Sequence, residues 1–212
     1  MKNINKYINT TSRLLIGLFT MVILSCEEEN PIESKTTFFA EFSIDNKTDL
    51  VWELNTPYIE PEVKAIENGT DLPVEVLGID KIDITKVGIY TVTYRAKNSD
   101  GFLATITRNV VVHDPSVIGN NVSGNIQDKN TNTRKGSISL VKGTNSIFFV
   151  TDFAFGGVFP MYFQMNGDII SEIPQVYPLG QSSVDLTYDP TNGQFTTKVN
   201  PAGYSYAFEY EQ

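Results

Sequence analysis

The sequence predicts an all-β protein, and three observations carry this prediction. Apolar and polar residues alternate with a period of two in most apolar segments, as in a half-buried strand, whereas helical periodicity is almost absent. Turn-forming clusters such as Asn98-Ser99-Asp100-Gly101 separate these segments. The segments are also short and recur every ~8–12 residues, a spacing typical of antiparallel sandwiches and barrels.

The N-terminal half contains six predicted strands. From Phe38 to Ile44 the even-numbered residues are apolar and share one face, so this segment is expected to be a half-buried strand. The even-numbered residues from Tyr90 to Ala96 are likewise expected to pack inward. The remaining predicted strands are Leu50–Leu54, Val63–Ile66, Pro73–Leu77, Ile89–Ala96 and Leu103–Val112.

Three motifs in this half carry a family resemblance: Pro57-Tyr58-Ile59-Glu60-Pro61, the strand from Gly88 to Tyr94, and the run from Ala96 through Asp100-Gly101 to Val112. Together they resemble the bacterial surface immunoglobulin-like repeat family over residues 37–114. The resemblance implies an immunoglobulin-like β-sandwich. Glu62 stands where the family usually has Gly, so the turn after Pro61 is expected to differ. Such domains are mostly spacers or adhesive modules, and the fold alone does not define a function.

The C-terminal half is predicted to be a second all-β domain, residues 122–212, joined by a linker at residues 115–121. Hairpin signals at Asn166-Gly167-Asp168 and from Asp189 to Gly193 lie between neighbouring strands. They predict an antiparallel up-and-down meander that closes as a sandwich or flattened barrel. The predicted strands are Ser123–Ile126, Gly136–Val141, Ile147–Thr151, Val158–Met165, Ile169–Ile173, Val184–Tyr188, Gln194–Val199 and Tyr204–Tyr210.

A looser resemblance covers this second half. The block from Ile147 to Gly157 and the turn from Tyr188 to Gly193 are similar to the C-terminal domain of a family of two-domain surface lipoproteins. That family is uncharacterised and is often encoded near glycan-utilisation genes of the starch-utilisation type. It offers no catalytic motif to transfer.

The N-terminus has the pattern of a lipoprotein signal peptide at residues 1–25. Three basic residues precede the apolar run from Leu14 to Leu24, which falls short of the ~20 residues that a membrane-spanning helix needs. A retained membrane anchor is the alternative. Ile23-Leu24-Ser25-Cys26 resembles the bacterial lipobox, which implies that Cys26, the only cysteine, becomes the lipidated mature N-terminus.

Residues 26–36 are predicted to be a flexible tether, because they are charged and poor in large apolar residues. The triplet Glu27-Glu28-Glu29 resembles a signal that exports lipoproteins to the cell surface, although an ordinary acidic tether explains it equally simply. The expected location is therefore the outer membrane, with a lipid anchor and exposure at the cell surface.

Composition argues against several function classes. The formal net charge is −9, and residues 1–25 hold three of the 16 basic residues and none of the 25 acidic ones, so nucleic acid is an unfavourable partner. His113 is the only histidine and is expected to lie at the surface or in the linker. One imidazole cannot build a zinc site or a Ser-His-Asp triad. We expect no cofactor, no metal and no enzymatic activity.

Aromatic rings are the predicted means of recognition. Several crowd the hairpin between Ile147 and Phe163, and stacking on sugar rings suits such side chains. Core packing is the alternative, and at least half of these rings must be buried. The candidates in segments with irregular strand pairing are Phe153, Phe155, Phe159 and Tyr177, with Asp152 as a partner for sugar hydroxyls. A polysaccharide is the expected ligand; the alternative is a protein partner such as an outer-membrane transporter component.

Overall fold

The computed structural model describes residues 36–44 and 49–211, and these ranges are dominated by β-strands. The predicted signal peptide, Cys26 and nearly all of the predicted tether lie outside them, as does most of the Asp45–Asp49 loop. Among the described residues, no helix has the length and apolar character required to cross a membrane.

Seven strands form the N-terminal domain: β1 (Glu41–Ser43), β2 (Asp49–Glu53), β3 (Lys64–Glu67), β4 (Thr70–Leu72), β5 (Val74–Leu77), β6 (Gly88–Lys97) and β7 (Leu103–His113). They make two sheets, with strand orders β1-β3-β4 and β2-β7-β6-β5. All pairs are antiparallel except β2 and β7, which run parallel. The predicted immunoglobulin-like sandwich is confirmed.

Strand β4 is additional to the six strands that the sequence predicts for this half. Asn68 and Gly69 both have positive φ, 46° and 81°, and together form a two-residue hairpin turn between β3 and β4. Two such residues are sufficient to reverse the chain, so pairing resumes at once at Thr70. The first strand is shorter than predicted and begins at Glu41 rather than Phe38.

The core of this domain has the predicted alternation on β6. Val92, Tyr94 and Ala96 are buried, and Val92 and Tyr94 pack with Val110 and Val112 of β7. A buried polar network crosses this core. Arg108 Nη2 donates hydrogen bonds to Glu60 Oε1 at 2.8 Å and to the Tyr94 hydroxyl at 2.6 Å. The Tyr94 hydroxyl donates to the same Glu60 oxygen, and burial raises the pKa of Tyr94 to about 12.

Eight strands form the C-terminal domain: β8 (Gly124–Asp128), β9 (Thr131–Leu140), β10 (Ile147–Val150), β11 (Met161–Asn166), β12 (Ile169–Glu172), β13 (Ser183–Asp189), β14 (Gln194–Asn200) and β15 (Tyr204–Tyr210). Their order in the sheet is β12-β11-β10-β9-β8-β15-β14-β13, and every pair is antiparallel. Strands that are neighbours in sequence pair with each other, except β12 and β13, and β15 returns to pair with β8. This is the predicted meander, nearly closed into a barrel.

Strands β12 and β13 end the sheet on either side of an unpaired seam. The Glu172 carboxylate bridges the seam, because Oε1 accepts hydrogen bonds from the backbone N–H of Val184 at 3.1 Å and from the Tyr177 hydroxyl at 2.6 Å. A side chain therefore joins the two edges where a backbone ladder is missing.

Side chains fill the barrel, as expected for eight strands. On β10, Phe148 and Val150 point inward and Phe149 points outward, which confirms the predicted alternation. The other fully buried members are Val122, Ile126, Ile138, Phe153, Ala154, Phe159, Met161, Phe163, Met165, Val184, Phe195, Val199 and Phe208.

The two domains share an apolar cluster. Ile89 and Val111, on the outer face of β6 and β7, pack with Val141, Ile147, Tyr162 and Ile173 from the outside of the barrel. The Ile89 N–H also donates a hydrogen bond to the carbonyl of Pro174 at 2.8 Å. The domain bounds remain a prediction, but the domains bury surface against each other.

At the domain junction the structure corrects one expectation, which concerns His113. Within residues 115–121, Gly119 forms a parallel bridge with Gly167, and the Asn120 N–H donates to the Gly167 carbonyl at 2.9 Å. The segment is thus held against the barrel. His113 lies in β7 and is only 4% exposed, so the expectation of a surface histidine is wrong. Burial lowers its pKa and favours the neutral ring.

Candidate ligand-binding cleft

The rings chosen from the sequence do not form an exposed platform. Phe153 and Phe159 are 0% exposed and Tyr177 is 7% exposed. Phe153 packs in the barrel against Phe163, Phe195 and Phe208, with ring centroids 5.5–5.6 Å apart. The expectation that irregular pairing leaves these rings exposed is wrong, because the loop folds back over the barrel opening and fills it.

Tyr177 also makes its contacts within the protein. Its ring stacks on Phe159 with centroids 6.0 Å apart and an interplanar angle of 8°, and its hydroxyl donates to Glu172. Burial raises the pKa of Tyr177 well above its ordinary value, and the hydrogen bond to Glu172 raises it further. Tyr177 therefore helps to close the barrel.

Asp152 was expected to bind sugar hydroxyls, but it is fully buried. Its carboxylate accepts backbone hydrogen bonds from Ala154 at 3.1 Å and from Gly157 at 2.7 Å. Asp152 thus holds the loop that places Phe153 and Phe159 in the core. A Gly pair with positive φ at residues 156 and 157 allows the sharp return of the chain.

Phe155 is the one ring of the predicted set that is half-buried. Its faces and edges meet Phe159, Tyr204 and Tyr206 at centroid distances of 5.5–6.0 Å. Tyr204 remains 59% exposed. This group is a small aromatic surface at the barrel opening, and Tyr206 also lines a neighbouring cavity of about 420 Å³.

A cleft of about 590 Å³ lies instead where the two domains meet. Its volume falls in the range of small-molecule sites, ~300–1,000 Å³. The immunoglobulin-like domain contributes residues of β2, β6 and β7, and the barrel contributes β9, β10, β11 and the loop before β13. The lining residues are Asp49, Ile89, Thr91, Asn109, Ser139, Leu140, Val141, Lys142, Phe149, Pro160, Tyr162, Gln175, Val176 and Pro178.

Three polar side chains from the two domains meet in the cleft. The Tyr162 hydroxyl donates to Asp49 Oδ1 at 2.7 Å, and Asn109 Nδ2 donates to the Tyr162 hydroxyl at 3.0 Å. Asn109 Nδ2 also lies 3.3 Å from Asp49 Oδ1. Burial raises the pKa of Tyr162 above its ordinary value, and the hydrogen bond to Asp49 adds to the shift, so Tyr162 stays a neutral donor.

The loop from Ile173 to Ser182 forms one wall, and Gln175 fixes it. Gln175 Oε1 accepts the N–H of Tyr162 at 2.8 Å, and Gln175 Nε2 donates to the Tyr162 carbonyl at 2.7 Å. The side chain thus pairs with the backbone of β11 as a neighbouring strand would. Val176 follows on this loop with 87% of its surface exposed at the rim.

The apolar part of the cleft is built around Phe149. Its half-buried ring lies 4.9 Å from the Tyr162 ring, at an interplanar angle of 51°. Leu140, 43% exposed, and Pro160 extend this surface, and Lys142 adds a cation. An aromatic face next to hydroxyl, amide and carboxylate groups can bind a ligand that has both apolar faces and hydroxyls.

Within the part of the chain that the structure describes, no three side chains of the metal-binding types come together. The Asx cluster at Asn98 to Asp100 serves a turn: Asn98 Oδ1 accepts the Phe102 N–H at 2.6 Å.

The comparison with family models supports an immunoglobulin-like fold for the N-terminal domain. Residues 42–112 match the family model described as bacterial surface protein, Ig-like domain. The chain therefore contains a domain similar to those of bacterial surface proteins.

Among solved structures, the chain is similar to a lipoprotein from Bacteroides thetaiotaomicron. The two are 22% identical, the match covers 80% of this chain and 98% of that one, and the TM-score is 0.41. No curated protein matches the chain.

Proposed function

We propose that the protein is a non-enzymatic, lipid-anchored protein of the bacterial surface, and that the cleft between its two domains binds a polysaccharide. The observation that carries the proposal is the arrangement of the half-buried Phe149 ring beside the hydrogen-bonded group of Asp49, Asn109 and Tyr162. The immunoglobulin-like domain is then part of the binding site as well as a spacer.

The chemistry of the cleft supports a sugar. A pyranose ring has an apolar face that stacks on an aromatic ring, and its hydroxyls both donate and accept hydrogen bonds. The Phe149 ring can stack on the apolar face of the sugar. The Asp49 carboxylate can accept hydrogen bonds from sugar hydroxyls, and the Lys142 and Asn109 side chains can donate hydrogen bonds to them. Leu140 and Val176 of the lining are 43% and 87% exposed, so the cleft is open to solvent beside them.

A protein partner is the second candidate, and it is favoured by a different observation. Val176, Leu179 and Val158 are 87%, 62% and 51% exposed, on the loops that precede β13 and β11. Leu179 has φ 57°, a conformation that is costly for a residue with a Cβ. Exposed apolar side chains of this kind mark protein contacts.

Binding is tested by affinity electrophoresis against a panel of polysaccharides, with Phe149→Ala and Asp49→Asn. Loss of a stacking ring removes about 0.5–1.5 kcal/mol beyond its buried area, so we expect Phe149→Ala to weaken binding roughly tenfold. Asp49→Asn keeps an oxygen for the Tyr162 hydroxyl and removes the charge, so a several-fold loss is expected.

Phe155→Ala is the matched control, since Phe155 is also a half-buried ring but does not line the cleft. It is expected to leave binding unchanged. Failure to bind any polysaccharide, or equal losses in Phe149→Ala and Phe155→Ala, contradicts the proposed cleft.

The lipid anchor is tested independently of any ligand. Labelled fatty acid should enter the wild-type protein and should not enter Cys26→Ala, because Cys26 is the only thiol. Equal labelling of the two proteins would show that lipidation does not occur at this residue.

A further inference from the structure

A second apolar surface lies on the immunoglobulin-like domain, at the end where the chain enters it. Phe38, Phe39, Phe102 and Leu103 are 45%, 64%, 54% and 59% exposed. The rings of Phe39 and Phe102 are in contact, with centroids 5.8 Å apart. We call these four residues the entry patch.

The entry patch is not a by-product of strand alternation. Phe38, Phe39 and Phe102 lie just outside β1 and β7, so the alternation of side chains along a strand does not set their exposure. Here both members of Phe38-Phe39 and both members of Phe102-Leu103 are exposed. Four large apolar side chains in solvent at one end of a domain mark a surface that has a partner.

Hydrogen bonds of Asn98 and Glu67 hold the entry patch in one shape. Asn98 is 5% exposed; its Nδ2 donates to the Phe38 carbonyl at 2.7 Å, and its Oδ1 accepts the Phe102 N–H at 2.6 Å. One side chain thus ties the entering segment to the β6–β7 hairpin. Next to it, the Glu67 carboxylate accepts two hydrogen bonds from Ser99, each 2.8 Å long. The patch is therefore preorganised for contact.

We infer that the entry patch rests in the surface of the lipid bilayer to which Cys26 is anchored. The argument is one of reach, and it depends on the proposed anchor. Phe38 follows Cys26 by 12 positions, and a chain of that length spans about 20 Å on average if it is as flexible as the sequence predicts and ~40 Å at most. No other large exposed apolar group of the described chain lies so near the anchor in sequence.

The chemistry of the patch suits the membrane interface. Aromatic and aliphatic side chains enter the boundary between headgroups and acyl chains. Lys97 is exposed beside the Gly101 turn, where a long cationic side chain can extend to the headgroups. An anchored domain with this contact has a fixed orientation, so its cleft is presented in a constant direction.

The test uses a tryptophan as a depth probe in the lipidated full-length protein. Trp52 is the only tryptophan, so Trp52→Phe gives a silent background into which Phe39→Trp is introduced. The matched control is Val176→Trp in the same background, because Val176 is equally apolar and more exposed but lies on the barrel. Both proteins are reconstituted into vesicles of phosphatidylethanolamine and phosphatidylglycerol, with and without bromines on the acyl chains.

We expect the emission of the tryptophan at position 39 to shift to the blue and to be quenched by the brominated lipid, whereas the tryptophan at position 176 is unaffected. Adding Phe102→Ser and Leu103→Ser should weaken the bilayer contact roughly tenfold or more and reduce the quenching accordingly. Quenching at position 39 is insensitive to the cleft, so it does not depend on polysaccharide binding.

Three outcomes overturn the inference. If the protein is bound to vesicles but its tryptophan at position 39 is not quenched, the entry patch does not contact the bilayer. Equal quenching at positions 39 and 176 means that no particular surface is bound. A blue shift that depends on protein density, without quenching, identifies a second copy of the chain as the occupant. Failure of the anchor itself is seen separately, as protein that does not remain with the vesicles.

Discussion

Replacing Arg108 with methionine is expected to lower the free energy of unfolding by about 3–5 kcal/mol, because it removes one partner of a buried ion pair and leaves the other in place. Arg108 is 2% exposed, and its pair with Glu60 is 2.8 Å long. The Tyr58 hydroxyl also donates to Glu60, at 2.5 Å, so one carboxylate joins three buried or half-buried side chains. Chemical denaturation measures the loss.

The control for this change is Lys86→Ala, which breaks an exposed ion pair. Lys86 Nζ lies 3.1 Å from Asp83 Oδ2, with exposed side-chain fractions of 71% and 38%. Solvent screens this pair, so the loss is expected to stay below about 1 kcal/mol. A similar small loss for both variants would mean that the Arg108 network does not stabilise the sandwich.

Phe153→Ala is the second change with a large expected effect. The ring is fully buried among Phe163, Phe195 and Phe208, so its removal leaves a cavity in the barrel. Truncations of this kind cost about 3–5 kcal/mol. Thermal and denaturant unfolding should both show the loss.

Val176→Ala is the matched control for the barrel, since Val176 is 87% exposed. Its effect on the free energy of unfolding is expected to stay within about 0.5 kcal/mol. If Phe153→Ala has the same free energy of unfolding as the wild type, the ring does not stabilise the barrel. That result would favour the sequence-based prediction that Phe153 is exposed.

The sequence predicted the fold well because alternation and turn chemistry are local signals. The inward face of β6, the opposite faces of Phe148 and Phe149 and the two hairpins at Gly167 and Gly193 all follow from spacing within a few residues. Strand ends were less well predicted. Pairing with a distant partner decides them, as at β9, which begins at Thr131 rather than Gly136.

The cleft could not be predicted in the same way, because its polar group joins β2, β7 and β11, which are far apart in the chain. Asp49 and Tyr162 are separated by 113 positions. Alternation places Phe148 and Phe149 on opposite faces of β10, but it does not indicate which of the two faces the cleft. The prediction that segments with irregular strand pairing are exposed is wrong for the loop held by Asp152, which is buried in the barrel opening.

The seam bridged by Glu172 has a consequence for how the barrel opens. Edges joined through side chains separate without breaking a backbone ladder, so amide hydrogens along β12 and β13 should exchange with solvent earlier than those of β10. Such edges are also where strands of other chains add. Replacing Glu172 with alanine would remove this side-chain bridge and leave the edges of β12 and β13 available to pair with another strand.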